Sequence, residues 1–213
     1  MRTLSRIIGA CALGIGFWVI ALQNAAASDR TLLVFGDSLS AALGLRPEQG
    51  WVALLDKRLQ AQGYGYKVVN ASVSGETTSG GLQRLPRALQ LNRPQVLVLE
   101  LGANDALRGL PLGLARQNLT RMVDLAKQAG ARILLVGMRM PPNYGPRYTA
   151  DFRQMYTDIS TRYHLALVPF LLESVALDPS RMQDDGLHPN AKGEPAVLDT
   201  LWPQLEPLLQ KNH

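Results

Sequence analysis

Gln95-Val-Leu-Val-Leu-Glu-Leu101, halted by Gly102-Ala-Asn-Asp105, is the stretch that decides the fold. It is a short, nearly continuous apolar run closed by a turn signal. Strands of that kind belong to parallel sheets buried on both faces. Working outward, Ala115, Leu119, Met122, Ala126 and Ala129 step by four, three, four and three. They define an amphipathic helix over 113–129, with Gly130 beyond its end. Ala131 to Met138 reads as the next strand, Phe152, Met155, Ile159 and Tyr163 as a helix stripe, and Leu165 to Phe170 as another strand. On the amino-terminal side, Thr31 to Phe35 and Tyr66 to Asn70 read as strands. Trp51, Leu54, Leu55 and Leu59 form a helix stripe between them. Gly75 to Gly81 reads as a polar, glycine-rich connection leading into a helix through Arg87. Val197 to Leu208 gives a final helix that Pro203 and Pro207 should bend. Five strands alternating with helices predict one α/β domain, a parallel sheet with helices on both faces.

In such sheets, ligands bind at the carboxyl ends of the strands. The chain's polar anomalies lie there. Ser38 follows the first strand in Gly36-Asp37-Ser38-Leu39-Ser40, Gly75 follows the second, and Asn104 follows the third. Asp184, Asp185 and His188 lie in Asp184-Asp185-Gly186-Leu187-His188-Pro189-Asn190, after the fifth. Taken singly, each is an ordinary turn or cap residue. Together they supply what acyl transfer needs: a nucleophile, a base with an orienting acid, and donors for an oxyanion. Asp184 and Asp185 both stand close enough to orient His188. His164 ends a helix stripe and His213 is the last residue, which leaves His188 as the base. Ser38 lacks the glycine two residues later that marks the usual G-x-S-x-G elbow.

The chain has 213 residues, 46% hydrophobic and 18% charged, which suits one globular domain with a full core. Its first residues differ in kind. Arg2 and Arg6 precede an uncharged run from Ile7 to Leu22, and Ala25-Ala26-Ala27 follows. That pattern predicts a signal peptide over 1–27 and a periplasmic or secreted domain over 28–213. Cys11, the sole cysteine, would leave with the signal, so cysteine nucleophiles, disulfides and thiolate metal sites are excluded from the mature chain. The net charge of +5 is mild, and its basic residues are scattered, which argues against nucleic-acid binding. It leaves room for transient contact with anionic lipid.

The blocks GDSLS at 36–40, SGETTSGG at 74–81, GAND at 102–105 and DDGLHPN at 184–190 resemble the SGNH (GDSL) hydrolase family. Within it, the chain is most similar to the bacterial thioesterase I/protease I/lysophospholipase group. The likeness continues in Leu82-Gln-Arg-Leu-Pro86, Leu107-Arg-Gly109 and Pro141-Pro-Asn-Tyr-Gly145, from about Thr31 to the carboxyl terminus. It implies a flavodoxin-like three-layer α/β/α sandwich with a five-stranded parallel sheet. It implies Ser38, Asp185 and His188 as catalytic triad, with Asp185 preferred over Asp184 by the family spacing. The oxyanion hole would come from Ser38 N–H, Gly75 N–H and the Asn104 side chain. Ala103 stands where the family pattern has glycine, so a slight local shift is expected there.

The expected substrate is a small acyl ester or thioester, bound without cofactor or metal by a monomer. Leu107, Arg108, Leu110, Met138, Met140, Pro141 and Pro142 are the expected binding residues, and Arg139 and Arg147 border the same loops. Two rival readings remain: an SGNH esterase for acetylated carbohydrate, marked by a preference for acetyl, and a flavodoxin-like binding module. The second leaves Asp185 and His188 without a task.

Overall fold

The structure is a computed structural model that describes residues 30–211. The expected signal sequence and His213 lie outside the described residues. Five strands, β1 (Arg30–Gly36), β2 (Tyr66–Asn70), β3 (Val96–Glu100), β4 (Arg132–Val136) and β5 (Ala166–Val168), form one parallel sheet in the order β2-β1-β3-β4-β5. All of β3 is buried, as its apolar run requires. The helices are α1 (Trp51–Ala61), α2 (Thr78–Asn92), α3 (Ala103–Leu107), α4 (Leu112–Gln128), α5 (Pro146–Tyr163) and α6 (Glu194–Leu205). α1 packs with α6 on one side, while α2, α4 and α5 pack in succession on the other. This is the three-layer α/β/α sandwich. Its strand order reverses between β1 and β3, and the crevice at such a reversal is where doubly wound sheets bind ligands.

The sheet aligns the loops that matter. Gly36, the last residue of β1, is the register partner of Glu100, the last residue of β3. The turn bearing Ser38 and the helix bearing Asn104 therefore leave neighbouring strands at the same level. Gly36 has no room for a side chain, since a Cβ there would lie 2.5 Å from Glu100 Oε2 and 2.7 Å from Ser40 Oγ.

The structure shifts several boundaries read from the sequence. Gly75 to Gly81 is only in part a connection, because α2 already begins at Thr78 and includes Gly80 and Gly81. The Thr77 side chain caps it by accepting from Gly80 N–H. Gly81 packs against Leu101 and Phe35, where a larger residue would push the helix off the sheet. α2 also runs through Pro86 to Asn92, past the expected end at Arg87. Strand β4 stops at Val136 and β5 at Val168, so Gly137 to Met140 and Pro169 to Leu172 are freed to build the crevice. α6 passes through Pro203 and gives way at Leu205 to a 3-10 turn containing Pro207.

Candidate active site

Ser38 sits one residue beyond the buried Asp37, at the sharp exit of β1. Its Oγ lies 2.8 Å from His188 Nε2, and His188 Nδ1 lies 2.7 Å from Asp185 Oδ2. The positive φ of Gly186, +65°, folds the Asp185–His188 segment back on itself. Asp185 Oδ1 then accepts from the N–H groups of Leu187 at 2.9 Å and His188 at 3.0 Å. Partial burial works against the Asp185 anion. The Leu187 and His188 N–H bonds and the imidazole outweigh it, holding the carboxyl below its ordinary range. Asp184 is exposed and takes no part in this chain of bonds among the described residues. With Asp185 accepting at Nδ1, the neutral imidazole carries its proton there and offers Nε2 to the serine hydroxyl.

The segment bearing His188 is pinned from outside. Met182 and Pro189 form an antiparallel bridge. Gln183 Nε2 donates to Leu43 O at 2.8 Å and to Pro189 O at 2.9 Å, tying the histidine loop to the loop after Ser38. Asn190 Nδ2 donates to the carbonyls of Ser180 and Met182, both at 2.9 Å.

Three potential oxyanion donors converge on the same space. The backbone N–H groups of Ser38 and Gly75 are unclaimed among the described residues. Asn104 Nδ2 donates one hydrogen to Asp37 Oδ2 at 3.0 Å, leaving the other available. Gly75 adopts φ +78°, and Arg108 Nη2 holds its carbonyl at 2.8 Å. Asp105 joins this loop to the neighbouring one. Its carboxylate accepts from Thr78 N–H at 2.7 Å and Thr78 Oγ1 at 2.6 Å, at the amino end of α2. The Asn104 helix and the Gly75 turn are thus fastened together by the residue next to Asn104. Ala103, the departure from the family pattern, is 8% exposed and lines the crevice beside Asn104.

A cavity of about 640 Å³ opens beside Ser38 and His188 and is walled mainly by apolar side chains. Leu107, Met138, Met140, Pro141 and Pro142 line it, as does Arg139, which pairs with Glu173 at 2.9 Å and stacks on Phe170. Arg108 and Leu110 do not line it. Arg108 is spent on the Gly75 carbonyl, and Leu110 N–H returns to Asp105 O at the end of α3. Arg147 is exposed and pairs with Asp151 one helical turn on. The wall also contains residues that the sequence reading missed: Leu39, Leu43, Phe170, Leu172, Leu177 and Leu187. The early end of β5 brings the 170–177 segment there, which no periodicity in the sequence announces. Leu177, 97% exposed, stands at the mouth with Leu43 and Leu187. Among the described residues, no group of three or more His, Cys, Asp or Glu side chains is placed to hold a metal ion.

Comparison with known proteins places this geometry in a family. Residues 34–195 match the model of the GDSL-like Lipase/Acylhydrolase family. Esterase TesA of Pseudomonas aeruginosa is 51% identical over 191 residues, covering 90% of this chain and 94% of that one. Thioesterase 1/protease 1/lysophospholipase L1 of Escherichia coli K12 is 42% identical over 197 residues, 92% of each chain. The crystal structure of the psychrotrophic esterase EstA from Pseudoalteromonas sp., inhibited by monoethylphosphonate, superposes with a TM-score of 0.80. It is 40% identical and covers 84% of this chain and 97% of that one. The chain belongs to the GDSL-like lipase/acylhydrolase family and is a hydrolase of the SGNH type.

Proposed function

We propose that this chain is an exported serine esterase that cleaves acyl esters and thioesters through an acyl-enzyme on Ser38. The observation that carries this is the unbroken Ser38–His188–Asp185 chain of hydrogen bonds opening onto an apolar cavity. His188 Nε2 takes the hydroxyl proton as Ser38 Oγ attacks the acyl carbon, and Asp185 steadies the imidazole. The developing oxyanion receives hydrogen bonds from Ser38 N–H, Gly75 N–H and Asn104 Nδ2, which are already in place before reaction. His188 returns the proton to the departing alcohol or thiol. Water, activated by the same histidine, then releases the acid.

The relatives named as esterase, thioesterase and lysophospholipase support acyl substrates. The signal-like pattern of residues 1–27 supports an extracytoplasmic location, which fits lysophospholipids and other acyl esters as substrates. Leu43, Leu177 and Leu187 at the cavity mouth suit a long chain delivered from a lipid surface. Methionines 138 and 140 let the wall adapt to a flexible chain.

A substrate series tests the proposal. Each methylene that the cavity buries contributes up to ~0.8 kcal/mol, roughly fourfold in kcat/KM. The value should climb from acetyl toward medium-chain esters measured below their micelle concentrations, for oxygen and sulfur esters alike. Ser38→Ala and His188→Ala should abolish turnover while the fold survives. A best substrate at acetyl with steady decline would overturn the acyl-cavity reading in favour of a carbohydrate deacetylase. Turnover above a tenth of the parent enzyme in Ser38→Ala would overturn the nucleophile.

A further inference from the structure

Beneath the oxyanion site lie two carboxyl groups that the reaction above does not use. Glu100, at the end of β3, is 0% exposed, and Asp37, beside the nucleophile, is 1% exposed. Glu100 Oε2 accepts from Asp37 N–H at 3.1 Å and from Ser40 Oγ at 2.8 Å, so the turn from Asp37 to Ser40 is wrapped around one oxygen with Ser38 in its middle. Glu100 Oε1 is buried and receives no hydrogen bond from any donor. Both oxygens of Asp37 have partners by contrast: Oδ1 accepts from Leu39 N–H at 3.1 Å and Oδ2 from Asn104 Nδ2 at 3.0 Å. The two carboxyl groups influence each other in the same buried pocket, and a hydrogen bond between them would need a proton on one of them.

We propose that Glu100 and Asp37 share a single proton and together act as a positioning unit for the oxyanion hole: Glu100 stays a neutral acid and donates to Asp37, and the Asp37 carboxylate fixes the Asn104 amide. This rests on the assignment of Asn104 as an oxyanion donor. The distribution of the proton follows from the surroundings. Two touching carboxyl groups in a dry site do not both ionise. Among the described residues no cation faces Glu100 and its hydrogen-bond partners are Asp37 N–H and Ser40 Oγ, while the nearby Tyr156 hydroxyl donates to Leu101 O at 2.9 Å. Asp37 has four partners that favour its anion: Leu39 N–H, His188, Glu100 and Asn104. Asp105, the next acid in the neighbourhood, is engaged by Thr78. Burial first, then these partners against it, leave Asp37 titrating at about 6, while burial and the adjacent Asp37 push Glu100 well above its ordinary range.

The charge on Asp37 matters because an amide has two nearly isosteric ends. A carboxylate only accepts, so it selects the NH₂ end of Asn104 and leaves the second N–H for the oxyanion. A protonated Asp37 can donate to the Asn104 oxygen instead, and the amide is then free to turn its donor away. Activity should therefore be present above the pH at which the pair holds one proton and fall as it takes the second, near pH 6.

The experiment compares Glu100→Gln with Glu100→Leu, together with carboxyl ¹³C NMR titration of the parent enzyme. Glutamine keeps both features, an oxygen for Asp37 N–H and Ser40 and a donor for Asp37, without an exchangeable charge. It should hold kcat within about threefold and leave the acid limb of kcat in place, since the donor to Asp37 survives. Leucine removes the donor that favours the Asp37 anion. Its kcat should fall by ~10- to 100-fold, less than the ~10²–10³ that follows deletion of an oxyanion donor itself. KM should change little, and the acid limb should move to higher pH. A purely structural role would lower thermal stability and leave that limb where it was. The NMR titration needs no variant to fold: one carbon should titrate near pH 6 and one should stay protonated through neutral pH. Both carboxyls ionised at pH 7, or Glu100→Gln as damaging as Glu100→Leu, would overturn the proposal. Covalent labelling of Ser38 by a fluorophosphonate reads the nucleophile separately. Failure there would remove the esterase assignment, and the titration would still decide the proton sharing.

Discussion

Glu194 offers a test of the fold's own electrostatics. It opens α6, six residues after His188, and its Oε2 accepts from the N–H of Trp51, the first residue of α1, at 2.7 Å. The side chain is 2% exposed. Burial raises its pKa from the ordinary 4.5 to about 7, and the Trp51 N–H only partly opposes this. The fold therefore favours the neutral acid. The stability this site contributes is full below pH 4.5, falls as the unfolded chain ionises first, and is gone once pH passes about 7. Each pKa unit corresponds to ~1.36 kcal/mol, so the span sets an upper bound of ~3 kcal/mol. Glu194→Gln keeps an oxygen for Trp51 N–H and removes the ionisation. Any cost of its unpaired amide hydrogens is the same at every pH, so the informative quantity is the difference between two pH values. Thermal denaturation at pH 5 and pH 8 should show the variant gaining on the parent by up to roughly 5–10 °C at the higher pH, at ~2–4 °C per kcal/mol for a domain of this size. A gap between variant and parent that is equal at the two pH values would refute the reasoning.

Asp185→Asn should cut kcat by up to ~10⁴, because an amide partner presents the wrong imidazole tautomer, whereas Asp184→Asn should leave it nearly unchanged. Equal losses in a chromogenic ester assay would remove the distinction. Gly102→Ala should destabilise the protein by ~1–3 kcal/mol, since φ +119° is strained for any L side chain and the new Cβ would lie 2.5 Å from Tyr156 Oη. An unchanged melting temperature would mean that Tyr156 can leave Leu101 O without cost.

The elements that were legible in the sequence are those whose signal is local. β3 needs nothing but its own apolar run to be recognised, and α4 needs nothing but its stripe, so both were found within a residue or two of their ends. The start of α2 was missed for the opposite reason. Thr78, Ser79, Gly80 and Gly81 have low intrinsic preference for a helix, and what holds them helical comes from elsewhere. Asp105, 27 residues away, takes the Thr78 N–H, and the sheet surface at Leu101 and Phe35 admits only glycine at 81. The shortness of β5 is also a tertiary matter. Gly137 N–H donates to the Val168 carbonyl, and a Cβ on Gly137 would lie 2.8 Å from Pro169 O, so the two segments leave the sheet packed backbone to backbone. The segment beyond it delivers Phe170, Leu172 and Leu177 to the cavity, which is why that part of its wall had no signature in the sequence.

The candidate site divides in the same way. Ser38, Gly75, Asn104 and His188 stand in the connections beyond strand ends, Asn104 in the short α3, where a polar residue or glycine interrupts an apolar pattern and so announces itself. The parallel sheet guarantees that such loops meet on one edge, so recognising the strands was enough to bring the four together. The supporting residues leave no such trace. Asp37 reads as part of a turn, Glu100 as a blemish in a strand and Gln183 as a loop residue. Their roles exist only through partners 63 and 140 residues away, Glu100 receiving Asp37 N–H and Gln183 reaching Leu43 O. Register is what joins the first pair. Gly36 and Glu100 are opposed across β1 and β3, and moving one strand by a single residue would turn Glu100 to the other face of the sheet, away from the turn that holds Ser38. The position of Ser38, the proposed nucleophile, is thus set by strand pairing as much as by its own motif. A substitution that slackens the β1–β3 edge, with every loop residue intact, should therefore disturb the proposed oxyanion donors before it disturbs the fold.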